Sequence, residues 1–263
     1  MSRIVSPALL LVGCTTDPDH GGPGTVRWYF ETGGSIDCAP AISDEGVIHI
    51  TAQDGLIRAI DPRGNLIWTY PFIRNFYSSP VLAANGDLYT GTNDHLLLSV
   101  TGAGAANFIW ESEGEFSSAP ALDADGTIYY GHGEYPVTGK VGIFWSLDPA
   151  LSPNWTTLIP DYLPWFTAVI GPEGNYHVFS TDSLYTVHPD DGDLLWSLRI
   201  PGQITSRSPA VDRQGIIYLG TDEGVVAVSA SGTILWHYQL DALEIFSPVI
   251  GSDGTIYAGS RNG

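Results

Sequence analysis

Along the chain, apolar residues come in short runs divided by polar turns, with no stretch at helical spacing. Pro40-Ala41-Ile42 and Pro80-Val81-Leu82 each lead into a turn ending in glycine, Asp44-Glu45-Gly46 and Ala84-Asn85-Gly86. Val47 to Thr51 and Asp87 to Thr90 return as a second strand. Leu56 to Ile60 and Leu96 to Val100 make a third, and Asn65 to Trp68 a fourth. Four short strands, polar turns and no period of 3.6 predict one antiparallel sheet with two apolar faces.

The unit repeats. Trp28, Trp68, Trp110, Trp155, Trp196 and Trp236 stand at intervals of 40, 42, 45, 41 and 40 residues. Twelve residues beyond most of them comes a small residue and proline: Ala39-Pro40, Ser79-Pro80, Ala119-Pro120, Ser208-Pro209 and Ser247-Pro248. The fourth copy departs, with Thr167-Ala168 in that place. Turn glycines follow at Gly46, Gly86, Gly126, Gly174, Gly215 and Gly254. Three residues after each stands an aromatic residue or histidine: His49, Tyr89, Tyr129, His177, Tyr218 and Tyr257. Gly24, Gly64, Gly192 and Gly232 each precede a tryptophan by four residues. A sheet with two apolar faces cannot bury both by itself, whereas copies stacked around an axis can, and a closed ring protects the edges. The expected fold is therefore all-β, a β-propeller of about six four-stranded antiparallel blades forming one domain over residues 25–263, with the six tryptophans as structural anchors between blades.

The last copy stops after its second strand, while Gly24 to Trp28 is an outer strand with no full blade before it. The expectation is a last blade that is incomplete or closed by the N-terminal strand, Thr25 to Trp28, with Leu9 to Val12 as a source for the strand still missing. The alternative is a piece of a larger ring. Residues 1–14 carry Arg3, an apolar stretch from Ile4 to Val12, and then Gly13-Cys14. A basic start, an apolar stretch and a small residue before the cut are the features of a secretory signal. Leu11-Val12-Gly13-Cys14 resembles the bacterial lipobox, in which the cysteine is lipidated. Residues 15–24 then read as a polar tether. The competing reading makes Val5 to Val12 a degenerate strand. No later stretch has the 18 apolar residues of a membrane span, so the expected membrane link is a lipid on Cys14 alone.

Composition narrows the partners. With 29 acidic residues against 10 basic ones the net charge is −19, and Lys140 is the only lysine. Such a surface repels phosphate backbones, which argues against nucleic acid. Cys14 and Cys38 make neither a disulfide framework nor a metal site.

Small-Pro, Asp-Gly-x-Ile-Tyr-x-Gly and Asp-x-x-Gly-x-x-x-Trp together resemble the PQQ-like (quinoprotein-type) propeller repeat, over residues 24–263. The stretch Ser247 to Ser260 matches it closely. The chain is similar in this to the barrel-assembly lipoprotein family of bacterial outer membranes, whose members have eight blades. That resemblance implies an exported or lipid-anchored scaffold, periplasmic or at the cell surface, that binds a protein or peptide. A carbohydrate-binding surface is the alternative. A quinoprotein dehydrogenase would need a cofactor pocket, calcium ligands and, commonly, an adjacent cysteine pair. Cys14 and Cys38 are 24 apart. The resemblance is therefore to the repeat, with no cofactor, no metal and no catalytic residue expected. Nucleophile-elbow, zinc-protease and phosphate-loop patterns do not occur. Asp123 to Gly126 and Ser252 to Gly254 read as turns, and His49 and His177 as packed side chains in the aromatic position.

What remains is a rim. Blade connectors converge around the axis of a propeller and commonly carry binding. Three residues before each proline, or its equivalent, stand Asp37, Tyr77, Ser117, Trp165, Ser206 and Ile245, with Phe76, Phe116, Arg207 and Glu244 beside them. These vary from copy to copy, as a site requires. The aromatic run Tyr162 to Phe166 and the insertion Gly133 to Lys140 are expected to make a contact patch. Asp37, Phe76, Tyr77, Phe116, Trp165, Phe166, Arg207 and Glu244 are the expected binding residues.

Overall fold

The computed structural model describes residues 8–12, 27–72, 76, 78–92, 95–111, 119–134, 141–161, 163, 167–206, 208–240 and 244–261. The chain forms two compact units, residues 1–112 and 113–263. Every regular element among the described residues is a strand.

In the first unit, β1 (Ala8–Val12) pairs antiparallel with β2 (Trp28–Thr32), Val12 opposite Trp28. The segment that the sequence offers either as leader or as strand is thus paired here, while Cys14 and the tether lie outside the described residues. Two whole blades follow. The first is β3 (Ala41–Ile42), β4 (Ile48–Thr51), β5 (Leu56–Ile60) and β6 (Leu66–Pro71). The second is β7 (Val81–Leu82), β8 (Leu88–Gly91), β9 (Leu96–Val100) and β10 (Ala106–Glu111).

The second unit holds three more. They are β11 (Ala121–Leu122) to β14 (Pro153–Ile159) through β12 (Ile128–Glu134) and β13 (Val141–Leu147); β15 (Val169–Ile170) to β18 (Leu194–Arg199) through β16 (Tyr176–Phe179) and β17 (Ser183–Val187); and β19 (Ala210–Val211) to β22 (Ile234–Gln239) through β20 (Ile217–Thr221) and β21 (Gly224–Val228). The sixth copy gives a two-stranded sheet, β23 (Val249–Ile250) with β24 (Ile256–Tyr257).

Burial explains the sequence pattern. The second and third strands of the first, second, fourth and fifth blades are buried on both faces, so they read as largely apolar runs, whereas β6 and β18 alternate at the outer edge. Within each unit, apolar faces of successive blades meet. Ile57 packs with Leu88, Leu98 and Val100, while Phe179 and Leu184 pack with Ile217, Leu219, Val226 and Val228.

The tryptophans lock these contacts. Trp28, Trp68, Trp155 and Trp196 donate their indole N–H to the carbonyls of Pro62, Gly102, Pro189 and Ala230 at 2.8–3.0 Å, in every case 34 residues further on. The rings lie against Gly64, Gly104, Gly192 and Gly232, where a Cβ would come within 2.5–2.7 Å of the indole.

One anchor differs from the sequence expectation. In the outer strand a bulge shifts the register just before the anchor: Ile60 pairs with Leu66, but Ala59 pairs with Trp68. By the same register in the second blade, Val100 pairs with Ala106 and Ser99 with Phe108. Phe108 therefore occupies the anchor position. Trp110 lies two residues beyond, opposite Leu97, at the place Tyr70 takes in the first blade. Counting tryptophans alone picks the wrong ring because both residues point to one face of the strand.

Candidate binding site

The connectors place the expected rim residues unequally. Asp37 is exposed, and its carboxylate accepts from the Ser35 hydroxyl at 3.3 Å and from the Gln53 amide. Glu244 is half-buried and paired with Arg261 at 3.0 Å. Phe76 is a correction. It is fully buried, bridges to Thr92 and packs among Ile57, Leu88, Leu98 and Val100, so it plugs the core and offers no surface. Ile204 and Ile245 make the same kind of bridge, to Thr221 and Ser260, and are equally buried, as is Ser206. The plug stands four, five and three residues before its proline in these three connectors, so counting back from proline mixes plugs with rim positions. Tyr77, Phe116, Ser117, Trp165, Phe166 and Arg207 lie outside the described residues, as do residues 135–140 of the insertion. Of the aromatic run, Leu163 is described and buried, pressed on Gly142 and Gly131.

The acidic turns use their carboxylates locally. Asp125 accepts from the Thr127 amide at 2.9 Å and Asp253 from the Thr255 amide at 3.0 Å, bonds that hold both below the ordinary carboxylate range. His177 is buried as expected, its Nδ1 2.7 Å from the Thr186 hydroxyl, and burial lowers its pKa to about 4.

A cleft not foreseen in the sequence opens between the first and second blades, within the first unit. It measures about 480 Å³. Its apolar walls are Ile42, Ile67 and Leu82, its floor holds Trp68 and His49, and Asp44 and Glu45 stand at its mouth. Ile42 and Ile67 are more than half exposed there. The His49 and Trp68 rings lie 5.6 Å apart. His49 is buried, with no accessible surface at its Nδ1. Burial lowers its pKa, against a smaller opposing effect of the Val47 backbone, so the ring is neutral at pH 7. Glu45 is held below the ordinary range by its own amide and the Ser43 hydroxyl, and is ionised there.

The cleft exists because two phenol rings are missing. Between the third and fourth blades Tyr129 and Tyr176 stack with centroids 3.6 Å apart, and the Tyr176 hydroxyl donates to Asp123 at 2.7 Å. Counting from the turn glycines, the first blade has Ser43 and His49 where the third has Asp123 and Tyr129, and the second has Leu88 where the fourth has Tyr176. Shorter side chains leave the gap unfilled. That substitution was the available sequence signal.

Comparison with known proteins agrees with this architecture. A family model described as outer membrane protein assembly factor BamB matches residues 143–263. No curated protein matches the chain. Among solved structures, BamB from Moraxella catarrhalis is similar at 18% identity and a TM-score of 0.65, covering 92% of this chain and 76% of that one. A protein of unknown function from Bacteroides caccae is similar at 15% identity and a TM-score of 0.54, covering 79% of this chain and 80% of that one. With its tryptophan-locked four-stranded sheets, the chain is an all-β propeller of PQQ-like repeats, similar to the outer membrane assembly factor BamB.

Proposed function

We propose that the protein is a non-catalytic scaffold that binds a protein or peptide at the bacterial envelope, in the manner of an outer membrane protein assembly factor. The match of residues 143–263 to that family carries the reading. The fold supports it: within each unit tryptophans latch one blade to the next, and the connectors and interblade clefts are free to differ between copies. The acidic surface, net −19, favours basic partners over nucleic acid. Export with a lipid on Cys14 is part of the proposal and rests on Leu11-Val12-Gly13-Cys14.

Photo-crosslinkers placed at Asp37 and at Ile67 test it in cells of a bacterium with an outer membrane. A discrete protein adduct that depends on crosslinker position is expected. Adducts absent from both positions, with glycan binding on an array instead, would move the protein to the carbohydrate-binding class.

A further inference from the structure

We propose that the cleft over Trp68 receives the side chain of a lysine carried by a partner peptide; this rests on the scaffold reading and names the chemistry of its partner. Three features converge on that residue type. Ile42, Ile67 and Leu82 offer apolar walls matching a methylene stem, which lysine buries while keeping its charged head among polar groups. Asp44 and Glu45 flank the mouth, and among the described residues no lysine or arginine lines the cleft, so a cation is attracted and an anion repelled. At the floor, Trp68 supplies an aromatic ring, which attracts a cation, and the neutral His49 beside it does not repel one.

Charge, shape and the aromatic floor therefore ask for the same group. A plain apolar side chain would fill the walls and leave both carboxylates unanswered. A free carboxylate ligand would meet Asp44 and Glu45 at the entrance.

The test uses the full chain and a short acetylated, amidated alanine peptide with one central lysine, titrated by calorimetry and followed by the Trp68 indole N–H resonance. Its norleucine counterpart keeps the stem and removes the charge. Saturable one-to-one binding of the lysine peptide is expected, with the norleucine peptide at least about tenfold weaker. Asp44→Asn with Glu45→Gln, both exposed, should weaken the lysine peptide about tenfold. Asp190→Asn with Asp191→Asn, exposed carboxylates of a different turn, should leave it unchanged. Ala83→Trp, which fills the cleft, should abolish binding; the surface pair decides the matter if that variant does not fold.

Equal binding of both peptides, no saturable binding, or equal loss in the two carboxylate pairs would overturn the proposal. The two readings fail separately. Position-specific crosslinks in cells that survive Ala83→Trp leave the scaffold standing without the lysine cleft. Lysine-peptide binding with no crosslinks does the reverse.

Discussion

The indole of Trp196 lies flat on the backbone of Gly232, so closely that a Cβ there would stand 2.7 Å from the ring. Gly232 also has φ +78°, as Gly254 has φ +83°, yet nothing lies within 4 Å of a Cβ at Gly254. The two glycines separate packing from backbone strain. Gly254→Ala should cost about 1 kcal/mol, the left-handed backbone alone. Gly232→Ala should cost about 1–3 kcal/mol more, because the ring must move and its bond to Ala230 go with it. Urea denaturation of both variants measures the difference; equal losses would mean the indole is not seated.

Trp196→Phe keeps an aromatic ring in the same place and deletes the N–H donor to Ala230. A loss of about 1 kcal/mol is expected. Trp196→Ala should cost about 3–5 kcal/mol. Thermal unfolding of the pair apportions the anchor between hydrogen bond and ring.

The buried Arg58 pairs with the half-buried Asp54, which also accepts from the amides of Gly33 at 2.8 Å and Leu56 at 3.1 Å. Asp54→Asn strands the guanidinium and should destabilise the fold by about 3–5 kcal/mol. Adding Arg58→Met should recover part of the loss, since the uncompensated charge then disappears. Chemical denaturation of the single and double variants reads this out.

Burial lowers the pKa of His177 from its usual value to about 4, so the folded chain binds this proton less readily than the unfolded one. Between about pH 6.5 and 4 the unfolded state holds more protons, and stability falls as pH falls through that window. The contribution, present in full above about pH 6.5, is up to about 3 kcal/mol. His177→Tyr, the residue type of four other copies, should flatten the curve there while leaving acid loss below pH 4, where the carboxylates titrate. Melting temperatures of the two proteins across pH 4–7 provide the comparison.

Cleavage ahead of Cys14 would remove β1, so lipidation and the pairing of Ala8–Val12 with Trp28–Thr32 exclude each other in one molecule. Labelled palmitate on the chain, lost in Cys14→Ala, together with an intact mass starting at residue 14, is the outcome expected from the lipobox reading. An unlabelled chain that retains residues 8–12 would replace the anchor with a structural strand.

The blades were legible because their physics is local and repeated. Strands β5 and β9 fall where the apolar runs Leu56 to Ile60 and Leu96 to Val100 put them. Phe108 shows where spacing misleads. Gly104 stands four residues before it and Pro120 twelve after it, the same offsets that frame Trp68, but the nearby indole of Trp110 is the louder signal. Phe76 shows a second limit, since connector length changes between copies and offset counting cannot tell a plug from a rim. The cleft was hidden for another reason. It arises from what His49 and Leu88 fail to fill, and an absence becomes visible only beside the Tyr129–Tyr176 stack.

Each anchoring indole finds its acceptor 34 residues downstream. On a ribosome the tryptophan emerges first and waits for its carbonyl, which at about 5–20 residues per second takes about 2–7 s. A sheet latched in this way is therefore left with one open side until its successor has cleared the exit tunnel, and a pause in translation prolongs that exposure for the most recent sheet alone.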